Sequence, residues 1–166
     1  MHRSIVWCLV LVSGATACAT EEVDSGDGVT AQVEEGILAD CTYTIKRDTI
    51  TVVKGEGGAD PALELDVDTS VDHDGTSSTV NFGGTIKSGA SFTTDATIFI
   101  NTVPSGTFVV HDWGIDATEF DTFDADDHGT GGGQLAFTCS GSSTSSDTDQ
   151  VSLGNATISV RVKASW

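Results

Sequence analysis

From Gln150 to Val162 apolar and polar residues alternate, and the alternation is interrupted only by Gly154-Asn155. A side-chain period of two belongs to a strand buried on one face, and a Gly-Asn pair is a favoured two-residue hairpin turn. The register this predicts sets Val151 opposite Ile158 and Leu153 opposite Ala156. It gathers Val151, Leu153, Ile158, Val160 and Val162 on one face and leaves Gln150, Ser152, Thr157, Ser159, Arg161 and Lys163 on the other. One dry face and one wet face is the pattern of an antiparallel sheet that covers a core.

The same period recurs upstream. Cys41, Tyr43 and Ile45 alternate with threonines and Lys46, then Ile50 and Val52 take the opposite parity, so a bulge or tight turn is expected near Arg47-Asp48. Leu63, Leu65 and Val67 alternate with Glu64, Asp66 and Asp68. Gly83-Gly84-Thr85 reads as a three-residue loop that places Phe82 opposite Ile86. Strands are expected at Thr97–Ile100 and Thr107–Val110 around Pro104-Ser105-Gly106, with a weaker one from Ala117 to Phe123. Leu135, Phe137 and Cys139 share one parity, and the run from Ser140 to Ser146 reads as a hydrophilic loop. No window shows a 3.6-residue apolar stripe. Eight to ten short strands with turn signals every 8 to 12 residues predict an all-β antiparallel sandwich over residues 37–166, with a closed barrel as the alternative. Cys41 and Cys139 lie in phase with core-facing neighbours, so a disulfide between them is expected.

Charge excludes some partners. The chain has 25 Asp and Glu against 7 Lys and Arg, a formal net charge of −18. Nucleic acid, whose phosphates require a basic patch, is therefore not an expected partner. Attraction to anionic lipid is excluded on the same ground, whereas a covalent anchor would hold regardless of charge.

The first residues carry an address. Met1-His2-Arg3 is followed by the apolar run Ile5–Val12 and by small residues from Ser13 to Ala19, the three parts of a secretory signal. The run is too short to span a bilayer, which takes about 20 apolar residues. Ala15-Thr16-Ala17-Cys18 resembles the lipobox of bacterial lipoproteins, with Ala15 where that family has Leu. The resemblance implies that residues 1–17 are removed and that Cys18 is lipidated, placing the protein in the outer membrane or at the cell surface. Cleavage after Ala17-Cys18-Ala19 would instead give a secreted or periplasmic protein. Residues 18–36, acidic and aperiodic, read as a disordered tether.

Candidate chemistry is sparse. Two Asp-rich stretches, 66–75 and 116–129, could supply the oxygen ligands of calcium, with Asp72, Asp74, Asp124, Asp126 and Asp127 as the metal candidates. His73, His111 and His128 match no local zinc spacing. Trp113 could serve as a sugar-stacking ligand residue or as a plug for the core. No Gly-x-Ser-x-Gly elbow occurs, and Gly131-Gly132-Gly133, read as preceding a strand, has no lysine partner that would make it a phosphate loop. No catalytic or cofactor-binding residue is assigned. The expectation is a non-enzymatic binding or envelope structural module, with a calcium-stabilised or carbohydrate-binding module and a small hydrolase as alternatives. The protein or glycan ligand is left open.

Overall fold

The computed structural model describes residues 6–10, 16–20, 39–55, 62–120 and 125–166. Two units divide the chain, residues 1–36 and 37–166. In the first, β1 (Val6–Val10) pairs antiparallel with β2 (Thr16–Thr20), and Cys8 is in register with Cys18 across the ladder. Most of the acidic stretch 18–36 lies outside the described residues.

The described residues of the second unit form eight strands: β3 (Asp40–Lys54), β4 (Ala62–His73), β5 (Thr76–Lys87), β6 (Ser91–Pro104), β7 (Thr107–Glu119), β8 (Asp127–Cys139), β9 (Thr144–Leu153) and β10 (Ala156–Ser165). They form two antiparallel four-stranded sheets, in the orders β6-β3-β10-β9 and β5-β4-β7-β8. Neither sheet closes on itself, so the fold is a sandwich and not a barrel. The alternating residues drive it: Tyr43, Ile45, Val52, Ile158 and Val160 of the first sheet and Leu65, Val67, Ile115 and Leu135 of the second are all buried in one core.

The final hairpin has the predicted register, with Val151 opposite Ile158 and Leu153 opposite Ala156, and Gly154 takes φ 51° in its turn. The parity switch in β3 is a bulge at Asp48. The pairing to β10 and to β6 steps from Arg47 to Thr49 and skips the residue between. Cys41 and Cys139 are bonded.

Four expectations are corrected. Gly83-Gly84-Thr85 is not a turn, because β5 runs straight through it with Gly84 opposite Leu65. Phe82, Gly84 and Ile86 already share one parity, and the Phe82 ring covers the bare glycine, where a Cβ would sit 3.1 Å from the ring. The turns lie instead at Asp74-Gly75, with φ 48° and 75°, and at Gly89, with φ 75°. The segment from Ala117 is not a separate strand but the end of β7, which stops at Glu119; residues 121–124 lie outside the described set. The hydrophilic run after Ser140 is a loop only to Ser143, since β9 begins at Thr144. The triple glycine lies inside β8 and does not precede it.

Candidate functional site

The predicted site residues are scattered by the register. Asp72 stands on the outer face at the end of β4 and Asp74 occupies the following turn. Asp126 and Asp127 lie at the opposite end, where Asp127 pairs with Glu119. Val71 pairs with Trp113, and the six residue steps along β7 from there to Glu119 separate the two acidic groups by about 20 Å. Asp124 lies outside the described residues. Among the described residues no three His, Cys, Asp or Glu side chains converge on a point that could hold a metal. Much of both Asp-rich stretches is strand; Asp66, Asp68, Asp72 and Asp116 take outward positions, whereas Glu119 is buried.

The histidines do not meet either. His128 binds Asp116 at 2.6 Å on the outer face of the second sheet. His73 stacks on Phe99 with centroids 4.0 Å apart. His111 is buried and held on both sides, with Nδ1 3.0 Å from the Asp72 carbonyl and Nε2 2.8 Å from the Tyr43 hydroxyl. A carbonyl can only accept, so Nδ1 carries the proton and Nε2 accepts from Tyr43. Burial pushes the Tyr43 phenol above its ordinary value, the Asn101 hydrogen bond opposes this, and the charge of Asp74 adds to it. The pair joins one sheet to the other and gives both imidazole nitrogens a hydrogen-bond partner.

Trp113 is not an exposed stacking platform. It is 4 % exposed, and its indole Nε1 donates to Asp147 Oδ2 at 2.9 Å. Asp147 also accepts from the Gln134 amide at 3.1 Å, and Asp149 accepts from the Gly132 amide at 2.8 Å. The run of glycines makes this possible. A Cβ on Gly133 would strike Asp147, and one on Gly131 would lie 2.7 Å from Asp149. Glycine here lets β8 approach β9, and the aspartates satisfy the amides that the approach buries.

The opposite side of the sandwich is tied by Arg47, which sequence reasoning did not single out as a core residue. It is 2 % exposed and continues the inward parity of Cys41, Tyr43 and Ile45. Its guanidinium donates to the carbonyls of Val67 at 2.9 Å, Asn81 at 3.0 Å and Val80 at 3.3 Å. Burial lowers its affinity for the proton and the charge of Asp68 works against that shift. Parity was the available signal.

The outer faces of the sheets carry the accessible chemistry. On the first sheet Thr49, Thr51, Ser91, Thr148, Ser159 and Arg161 line an open hollow of about 270 Å³. Arg161 Nε donates to Asp48 Oδ2 at 2.6 Å. Burial raises the Asp48 carboxyl, but the hydrogen bonds from Arg161 and Thr49 and the charges of Arg161 and Lys163 outweigh it and hold the group below the usual carboxylate range. A depressed folded value means stability that is present above the unfolded pKa of about 3.9 and lost as pH falls through the folded one. Acid unfolding of Asp48→Asn is therefore expected to show a shallower loss below about pH 4 than the unaltered chain. Superimposable stability curves would remove the pairing from the account.

On the second sheet an open hollow of about 310 Å³ lies over Gly114, with Asp68 and Asp116 beside the hydroxyls of Ser70, Ser77, Thr79 and Thr130. Asn81 donates to Asp68 at 3.0 Å and to Asp66.

These features define a class: an all-β, disulfide-closed sandwich domain whose inter-sheet polar contacts are buried and whose polar surfaces are broad and shallow. No family model matches the chain and no curated protein matches its sequence. Among solved structures, a C2 domain of a plant extended synaptotagmin 1 is similar over 74 % of this chain and 92 % of that one, at 7 % identity and a TM-score of 0.33. A likeness at that level carries no argument about this chain.

Proposed function

We propose that this chain is exported, lipid-anchored at Cys18, and displays residues 37–166 as a non-catalytic binding or envelope structural module on the outer membrane or cell surface. The observation that carries export is the Cys41–Cys139 disulfide, because such bonds persist in oxidising compartments. It agrees with the apolar run and small residues that precede Cys18. Acylation adds about 0.8 kcal/mol of membrane affinity per buried CH₂, so two or more chains on one cysteine would hold a highly acidic domain at a bilayer. The domain's accessible polar surfaces are open hollows on flat sheet faces, which suit recognition of a surface better than enclosure of a substrate.

The intact mass of the protein recovered from membranes is expected to equal residues 18–166 plus acyl chains. Cys18→Ser is expected to move the protein from the membrane to the soluble fraction. A mature chain that begins at Thr20 without added mass would replace the anchored form with the secreted or periplasmic one.

A further inference from the structure

The sandwich is closed along one side and open along the other. Four of the described strands stand at sheet edges: β6 and β9 in the first sheet, β5 and β8 in the second. An edge strand presents unpaired N–H and C=O groups that another strand can complete, so natural sheets break, charge or cover their edges. Three of the four are managed in that way. β8 and β9 lie against each other, with Asp149 and Asp147 of β9 accepting from the Gly132 and Gln134 amides of β8. β6 is broken by two register shifts against β3, carries Asp95 at φ 45° and ends on Pro104.

β5 has none of these devices. It pairs with β4 from Thr76 to Lys87 without a register shift, and residues 76–86 hold no charge and no proline. The core is also thinly covered along this edge. Inward residues of β4 are buried, whereas Val80 and Phe82, inward on β5, are half-buried. Phe92 stands opposite the fully buried Ile50 yet is 46 % exposed, and its ring centre lies 4.9 Å from that of Phe82. Val80, Phe82 and Phe92 thus line an open seam between the sheets. Arg47 reaches the carbonyls of Val80 and Asn81 there, and a carbonyl oxygen can accept a second hydrogen bond.

A segment that completes this edge must be extended and must bring apolar side chains to the seam without bringing carboxylates. β5 itself meets that description. We propose that β5 pairs antiparallel with β5 of a second copy of this chain, joining the two second sheets into one of eight strands. A two-fold axis relates the copies, so one surface serves both and association stops at the dimer. With Asn81 of each copy on the axis, Val80 stands opposite the second copy's Phe82, an aromatic and β-branched pair that stabilises a ladder. The same register carries Lys87 of each copy to the Asp74-Gly75 turn of the other, so opposite charges meet at both ends of a strand whose middle carries none. The edge is about 40 Å long and about 10–15 Å deep, which gives roughly 400–600 Å² from each copy. That is the low end for a specific complex, so the dimer is weak and depends on concentration. The proposal does not require the lipid anchor.

The test uses the full exported chain carrying Cys18→Ser, so that no detergent is needed, in sedimentation velocity from about 1 µM to about 1 mM. The average mass is expected to rise with concentration and level off at that of a dimer. Thr79 and Gly83 are outward and exposed, a Cβ on Gly83 meets nothing within 4 Å, and in this register each Thr79 faces the second copy's Gly83. Thr79→Lys with Gly83→Lys sets like charges across the joint and should raise the concentration needed for dimerisation about tenfold or more. Thr79→Glu with Gly83→Lys sets opposite charges there and should dimerise at least as readily as the unaltered chain. The two variants differ at one position, and the first is the less acidic, so general repulsion between copies would rank them the other way. Unchanged circular dichroism establishes that they fold. A chain that stays monomeric at about 1 mM, a mass that climbs past the dimer, or a double-lysine variant that dimerises as readily as the other would each overturn the proposal. These outcomes are independent of the mass measurement at Cys18, which tests the anchor alone.

Discussion

Replacing Cys41 and Cys139 together with alanine is expected to lower the free energy of unfolding by about 4–5 kcal/mol. The bridge joins residues 98 apart in sequence, so reducing it frees nearly the whole domain in the unfolded state. The loss scales with the logarithm of loop length and is close to its maximum for a domain of this size. The native state gives little of it back. Cys41 is the second residue of β3 in the first sheet and Cys139 ends β8 in the second; each alanine keeps the Cβ and removes one buried sulfur, so the main change is loss of the cross-link. Against a typical stability of about 5–15 kcal/mol, this is a third or more of the total. Urea unfolding of the double variant, and of the unaltered chain with dithiothreitol, should show the same lowered midpoint. A midpoint that does not move in either case would mean that the bond does not constrain the unfolded chain.

That bond was legible in the sequence for the same reason as most of the fold. Period-two burial specifies which side of a strand faces inward, and it predicted the last hairpin to the residue because a two-residue turn allows one register. It also located the bulge at Asp48, where parity changes. It failed at Gly83-Gly84, because two glycines read as a turn unless an aromatic ring two positions away is known to cover one of them, as Phe82 does. It started β9 too late for a related reason. Ser145, Asp147 and Asp149 do not look like inward residues, yet the two aspartates point toward β8 and accept hydrogen bonds from Gln134 and Gly132. The site fared worse than the fold. Clusters of Asp along the sequence do not predict clusters in space when the residues lie along a strand, where neighbours alternate faces and each pair of positions adds about 6.6 Å. Sheet order, which decides that Lys46 stands beside Lys163 and Asp68 beside Asp116, is a long-range property that no local pattern carries.

Arg47 shows what a pattern-based reading loses when a polar group takes a core position, and its removal should be costly. The guanidinium bonds carbonyls on β4 and β5 from a strand of the facing sheet, while Nε reaches Thr94 Oγ1 at 3.3 Å and Thr94 Oγ1 donates back to the Arg47 carbonyl at 2.6 Å. The Phe82 ring lies 5.8 Å from its carbon centre. One side chain therefore joins two sheets and an edge strand. Arg47→Ala leaves a cavity and removes the donors to three carbonyls, and is expected to cost about 3–5 kcal/mol. Arg47→Lys keeps the charge but replaces a planar fork by a single ammonium, which cannot reach the same acceptors at once, and should cost about 2–3 kcal/mol. Arg47→Met is the informative control. It keeps most of the volume, loses the hydrogen bonds and removes the expense of burying a charge, two changes of opposite sign that should leave a loss of about 1–2 kcal/mol. Urea unfolding of the three variants should rank them Met, Lys, Ala in increasing loss. If Met proves the worst, the hydrogen bonds outweigh the volume, and if all three fall within about 0.5 kcal/mol of the unaltered chain, the guanidinium does not hold the sheets together.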